Sequence, residues 1–237
     1  MHRIASLIVA GALSALMGCA CPGDPQDEPK DMGSKDGDGK ESPEWVAKAE
    51  QSDDKLWRFT FDDLPSNQAT GQPLVAVEGE EAEFVDAQGQ PVRLSQFRGK
   101  PLVLVFARGF VGFVCPYCST YTAQIAHDYD KIKALGAEVL LVYPAEDDDL
   151  EVLEQFTTSV NDILEAEGDQ AVPFPVALDP GLRSTRRFNL LGDLSRPSTF
   201  VLDPQGTIRY AFVGESRDER PAVSRILEEL EALKRGE

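Results

Sequence analysis

The chain has 237 residues and a formal net charge of −18, from 41 acidic against 23 basic side chains. A surface of that sign repels a phosphate backbone, which excludes nucleic acid as a partner. With 42% hydrophobic residues, the chain holds enough apolar material for one ordinary domain plus extensions.

Met1-His2-Arg3 is a short basic start, and Ile4 to Met17 is apolar and small. That run is shorter than the ~20 residues a spanning helix needs, and it fits a secretory leader. It stops at Leu16-Met17-Gly18-Cys19. This ending is similar to the bacterial lipobox, which implies residues 1–18 as a cleaved signal and Cys19 as a lipidated mature N-terminus. Two or more acyl chains give stable anchoring. From Cys21 to about Lys55 the composition turns to Asp, Glu, Lys, Gly, Ser and Pro. Such a stretch buries too little to offset its ordering entropy, so residues 19–55 are expected to be a disordered acidic tether. Leu56, Trp57, Phe59 and Phe61 alternate as a strand would, making residues 56–71 an edge segment of the domain.

The domain proper is expected over residues 72–237. Ala82–Val85 and Pro91–Leu94 flank Gln88-Gly89, a hairpin signal. Leu102–Phe106 is an uninterrupted apolar run, as in a strand buried on both faces. After two cysteines, Tyr121, Ile125, Tyr129, Ile132 and Leu135 recur at helical spacing, and Gly136 closes that helix. Glu138–Tyr143 is the next apolar strand. Asp147-Asp148-Asp149 opens a second helix with an acidic first turn, buried through Leu150, Leu153, Val160, Ile163 and Leu164. Phe174–Leu178 is a third central strand, and Pro180–Leu190 a short helix. Thr199–Leu202 and Thr207–Val213 are strands joined at Asp203-Pro204-Gln205-Gly206, and Pro221–Lys234 is an amphipathic last helix. Alternating β and α units give an α/β fold: a mixed, mostly parallel sheet with helices on both faces.

Cys115-Pro116-Tyr117-Cys118 follows the first central strand and opens a helix. A helix N-terminus carries free N–H groups and partial positive charge, which is expected to lower the Cys115 pKa. Cys118 is three residues on, with its Cα about 5 Å away by helix geometry, within disulfide range. The pair can therefore cycle between dithiol and disulfide, Cys115 attacking and Cys118 resolving. A structural zinc site needs about four ligands, whereas the chain has only two histidines, His2 and His127. A c-type haem needs His after the second Cys, where Ser119 stands. A structural disulfide remains an alternative in an exported chain, although so small a loop constrains little of the unfolded state. No metal, flavin or nicotinamide site is visible, so no cofactor is expected.

Leu94-Ser95-Gln96-Phe97-Arg98-Gly99-Lys100-Pro101, the apolar strand and the cysteine pair together resemble the redoxin branch of thioredoxin-like proteins. That branch includes alkyl hydroperoxide reductase/thiol-specific antioxidant domains and tethered thiol–disulfide reductases. Arg196-Pro197-Ser198-Thr199-Phe200-Val201-Leu202-Asp203 with Gly206-Thr207-Ile208-Arg209 resembles the segment carrying the branch's cis-proline, which implies Pro197 as a cis-proline that docks substrate beside the cysteines. Phe113-Val114-Cys115-Pro116 is similar to the peroxidatic segment of peroxiredoxins, with Gly112 and Arg108 where those enzymes usually carry Thr and Pro. Arg108-Gly109 resembles the start of a related group ending in Cys-Pro-Tyr-Cys, which implies Arg108 as a stabiliser of the thiolate or of a peroxide oxygen.

The resemblance implies a thioredoxin-like fold and a membrane-tethered thiol–disulfide oxidoreductase with a redox-active Cys115–Cys118 disulfide. Its alternative is a peroxiredoxin-like peroxidase acting on hydroperoxides. Either takes electrons from a thiol reductant or acts on a disulfide-bearing client protein, at the bacterial cell envelope, held to the membrane by lipid on Cys19. A third reading is a non-catalytic redoxin module whose two thiolates hold copper(I) or that assists assembly.

Overall fold

A computed structural model of the chain describes residues 59–74, 82–109 and 114–236. The leader, Cys19, Cys21 and the acidic tether fall outside the described residues. Among those described, no helix is long and apolar enough to cross a membrane.

Among the described residues seven strands form one sheet: β1 (Glu83–Val85), β2 (Pro91–Arg93), β3 (Leu102–Phe106), β4 (Glu138–Ala145), β5 (Val176–Pro180), β6 (Ser198–Leu202) and β7 (Ile208–Val213). Among the described residues five α-helices accompany them: α1 (Pro116–His127), α2 (Tyr129–Ala134), α3 (Glu151–Ala166), α4 (Arg183–Arg187) and α5 (Val223–Arg235). The strand order is β2-β1-β5-β4-β3-β6-β7. The β1–β2 hairpin is where Gln88-Gly89 signals it, its turn tied by Asp86 Oδ1, which accepts from the backbone N–H of Gln88 (2.9 Å) and of Gln90 (2.8 Å).

The mostly parallel expectation is corrected. Only β3–β4 and β4–β5 pair in parallel; the other four neighbours are antiparallel. Two causes act. The tight turn between β6 and β7 permits only an antiparallel pair, and the β1–β2 hairpin adds to β5 in the antiparallel sense.

β3 is buried along all five residues, and its side chains divide by period two between two apolar layers. Val103 and Val105 join Val139, Leu141 and Tyr143 beneath α1, α3 and α5, with Ile125, Phe156, Val160, Ile226 and Leu230. Leu104 and Phe106 face the other way, toward Phe84, Leu140, Val142, Leu190 and Phe200.

The long helix expected after the cysteines is two. Asp128 (φ −91°, ψ 8°) ends α1, and Lys131 ties it down by backbone N–H to Asp128 O (3.0 Å) and by Nζ to Oδ1 (2.7 Å). The Asp147–Asp149 run precedes α3 rather than opening it. Asp149 Oδ1 accepts from the Glu151 N–H at 2.9 Å, and the helix starts there.

Of the expected alternating strand, Leu56 and Trp57 lie outside the described residues, and residues 59–74 form no continuous strand. They make a strap along the outer edge of β7: Asn67 N–H to Ala211 O (3.0 Å), Gly71 N–H to Ile208 O (2.7 Å), Ile208 N–H to Gln72 O (2.9 Å) and Leu74 N–H to Gly206 O (3.1 Å).

Candidate active site

The chain leaves β3 at Phe106, and the parallel pairing of β3 with β4 carries Ala107 and Gly109 on beside Pro144. Gly109 has φ +67°, and a Cβ there would lie 2.8 Å from Pro144 Cγ and 3.1 Å from Leu194 Cδ1. Only glycine fits that approach. Residues 110–113, including Gly112, lie outside the described set. The chain re-enters at Val114, and Cys115 is the N-cap of α1, with Pro116 in the first turn, where its missing N–H costs nothing.

Cys115 and Cys118 are unbridged and buried, at 0% and 2% exposure. The backbone N–H of Cys118 donates to Cys115 Sγ at 3.3 Å, so Cys115 caps its own helix with sulfur. Ser119 N–H donates to Cys115 O at 3.0 Å, and Thr122 Oγ1 to Cys118 O at 2.8 Å.

The charge at this site comes from the far end of the chain. Among the described residues Arg220 is the one buried arginine, 3% exposed, and its Nη2 lies 3.3 Å from Cys118 Sγ. Its Nη1 donates to Arg217 O. The guanidinium sits 5.9 Å from the ring centres of both Phe61 and Tyr121, within cation–π range. The loop that delivers it is tight. Gly214 N–H donates to Pro197 O (2.8 Å), Glu219 Oε2 accepts from Glu215 N–H (2.6 Å), and a Cβ on Gly214 would lie 2.5 Å from Glu219 O.

The acidity of the pair is the reverse of the expectation from the helix terminus alone. Burial pushes the Cys115 thiol well above its ordinary value, and its hydrogen bond to Cys118 and the charge there push the same way. Burial also opposes ionisation of Cys118. Yet the hydrogen bond from Cys115, the Arg220 charge and the backbone N–H groups of Gly109 and Arg108 outweigh it and bring Cys118 down to about 6. Cys118, beside the guanidinium, is thus the more acidic of the two.

Arg108 is placed between the cysteine helix and the Asp193–Ser195 loop. Its guanidinium pairs with Asp193, and its carbonyl accepts from Ser195 N–H at 3.1 Å; it is the backbone N–H that faces Cys118. Pro197 sits one residue before β6, whose first residue, Ser198, pairs with Phe106 at the end of β3 that leads to the cysteines. The cis-proline expectation is corrected, because every peptide bond among the described residues is trans. Tyr117 is half-buried and stacks on Phe59, centroids 3.8 Å apart. Gln124 Nε2 donates to Phe59 O at 2.9 Å, and Phe61 meets Tyr121 edge-on at 5.0 Å. Tyr121 OH and Thr199 Oγ1 are 3.2 Å apart, and burial holds that phenol well above its usual pKa.

Sequence reasoning misses Arg220, Phe61 and the Tyr121–Thr199 pair. No local pattern marks them: Arg220 and Cys118 are 102 positions apart. His127 pairs with Asp169 at 2.7 Å. Among the described residues no three His, Cys, Asp or Glu side chains gather as a metal site. A guanidinium 3.3 Å from Cys118 also opposes a second cation there, which weighs against copper(I).

The profile of the AhpC/TSA family matches residues 70–211, more than half of the chain. The chain is 27% identical over 153 residues to a chloroplastic peroxiredoxin Q of Sedum lineare, covering 63% of this chain and 73% of that one. It is 26% identical over 166 residues to a putative peroxiredoxin in a rubredoxin operon of Clostridium pasteurianum, covering 69% and 85%. A wheat peroxiredoxin Q matches over 57% of its own length. Among solved structures, AhpC of Mycobacterium bovis superposes with a TM-score of 0.55 at 20% identity, over 73% of this chain and 96% of that one. That likeness shows the peroxiredoxin form of the thioredoxin-like fold.

Proposed function

The chain belongs to the AhpC/TSA family of thiol-dependent oxidoreductases, and within it we propose a peroxiredoxin-like thiol peroxidase that reduces hydroperoxides with the Cys115–Cys118 pair. The observation that carries this reading is the cysteine pair itself: two buried, unbridged thiols on one helical turn, with the backbone N–H of Cys118 donating to Cys115 Sγ and a buried guanidinium beside Cys118 Sγ. A peroxidase of this type needs one thiolate and one thiol within reach of each other. The thiolate attacks the peroxide, the O–O bond breaks, an alcohol leaves, and the sulfur becomes a sulfenic acid. The second thiol condenses with it to a disulfide and releases water. Two thiol equivalents from an external reductant restore the pair.

Stopped-flow oxidation of the full reduced chain by hydrogen peroxide tests this. Oxidation much faster than free cysteine, ending in one intramolecular disulfide, is the expected outcome. Oxidation no faster than free cysteine would defeat it. The second reading, disulfide exchange with a client protein, is favoured by the placement of both cysteines on the first turn of α1, where a disulfide closes with little backbone movement. Its signature is slow peroxide reaction, a well-defined dithiol–disulfide potential and client mixed disulfides trapped by single-cysteine variants.

Lipid anchoring at Cys19 on the outer side of a bacterial membrane completes the reading, supported by Leu16-Met17-Gly18-Cys19 at the end of the apolar run. In a bacterial host the full chain should partition with membranes, and Cys19→Ser should release it or leave an unprocessed leader.

A further inference from the structure

We propose that Arg220 fixes the thiolate of the reduced pair on Cys118, so that Cys118 rather than Cys115 is the first sulfur to react. The inference deepens the peroxidase reading and rests on it for its chemistry, though not for its geometry. Three observations converge. Arg220 is buried with its Nη2 at 3.3 Å from Cys118 Sγ, and a guanidinium is carried into an interior only with an anion or strong acceptor beside it. The backbone N–H groups of Arg108 and Gly109, held by the close fit of Gly109 against Pro144, face the same sulfur. Cys115 Sγ instead receives the backbone N–H of Cys118 at 3.3 Å, with no guanidinium hydrogen-bonded to it among the described residues.

The charged and titratable groups around the pair are few. Arg220 comes from the loop before α5, Tyr121 from α1 and Cys115 from the helix cap; Tyr117, Arg217 and Asp218 lie on the outer side of Cys115. Arg220 also lies beyond residues 70–211, so the C-terminal extension of the matched region supplies the charge.

The proposed cycle balances as follows. The Cys118 thiolate attacks one peroxide oxygen, and the O–O bond breaks. The departing alkoxide takes the proton of Cys115, leaving Cys118 as sulfenic acid and Cys115 as thiolate. That thiolate attacks the Cys118 sulfur, expelling hydroxide and forming the disulfide. An external thiol reductant returns two electrons.

The test is thiolate ultraviolet absorbance against pH, on the full chain in a Cys19→Ser, Cys21→Ser background, with circular dichroism as the check of folding. The reduced protein should gain one thiolate with a midpoint near 6. Arg220→Met should move that midpoint up by about 1 to 3 pH units, the effect of an opposite charge at contact distance, and Arg220→Lys should restore part of it. The low midpoint should persist in Cys115→Ser, raised by the lost hydrogen bond, and vanish in Cys118→Ser. The proposal fails if Cys118→Ser keeps the low midpoint while Cys115→Ser loses it, or if folded Arg220→Met and Arg220→Lys leave it unmoved. The titration uses no peroxide. Failure of the peroxidase reading would thus appear as slow turnover with the titration intact.

Discussion

Arg220 carries a permanent charge into the interior, and removing its counter-charge leaves a cost of several kcal/mol. Oxidation to the disulfide removes that counter-charge, while closing so short a loop adds little chain-entropy stabilisation. The reduced chain is therefore expected to melt at higher temperature than the disulfide form at pH 7, and Arg220→Met should narrow the gap; calorimetry of both redox states decides it. The pH dependence has two limbs. Cys118 is depressed to about 6, so its contribution is fully present above the unfolded thiol value, ~8.5, and is lost as pH falls through about 6. Cys115 is raised, so its contribution is present below ~8.5 and fades as pH rises beyond it. Reduced-state stability relative to the disulfide form should rise from pH 6 to about 8.5 and then decline. A gap that stays flat or falls over that first interval would show that neither thiol of the pair is held below its ordinary value. At this scale the sequence marks Cys115 and Cys118 through their spacing, but not which of them ionises. That choice depends on a guanidinium that only the folded chain brings near.

At the scale of elements, α1 is held from both sides: β3 and β4 beneath, the strap above. Phe59 stacks on Tyr117, while Phe61 covers Tyr121 and the Arg220 guanidinium. Truncating Phe61 to Ala should cost roughly 1–3 kcal/mol from lost burial and ring contact. It should also speed alkylation of Cys118 by admitting water around Arg220. Urea melts and iodoacetamide kinetics read the two effects, and unchanged alkylation would show the strap to be mere packing. Gly109→Ala forces a Cβ to 2.8 Å from Pro144 Cγ at a positive φ, so a loss of about 1–3 kcal/mol is expected, with a raised thiolate midpoint as the displaced N–H leaves Cys118. The elements themselves are largely legible. The apolar run of β3, the hairpin and the stripe of α5 follow from period two or period 3.6. The break at Asp128 is not, because Tyr129 and Ile132 keep the helical spacing across it. Neither is the strap, whose alternating aromatics read as a strand but pack against helix α1 while the following residues bond to β7.

Over the whole molecule, strand order is the least readable property, since the insertion of β1 beside β5 joins segments some ninety residues apart through the single register pair Val85–Leu178. The charge of −18 is legible at once, and its consequence is self-repulsion in the compact state. Melting temperature should therefore rise between low salt and ~0.15 M, where the Debye length shortens to about 8 Å; a flat response would mean the acidic groups are too dispersed to matter.

The strap has a consequence for how copies of this chain meet. An outer strand with open N–H and C=O groups is a template on which another chain's strand can add. On β7 those groups are taken: beyond the backbone bonds to residues 67–74, Asn67 Oδ1 accepts from Val213 N–H (2.8 Å), Asn67 Nδ2 donates to Val213 O (2.8 Å), and Ser66 Oγ accepts from Ala211 N–H (3.0 Å). That border of the sheet is closed from within the same polypeptide. Chains crowded side by side are thereby kept from stitching their sheets together through β7.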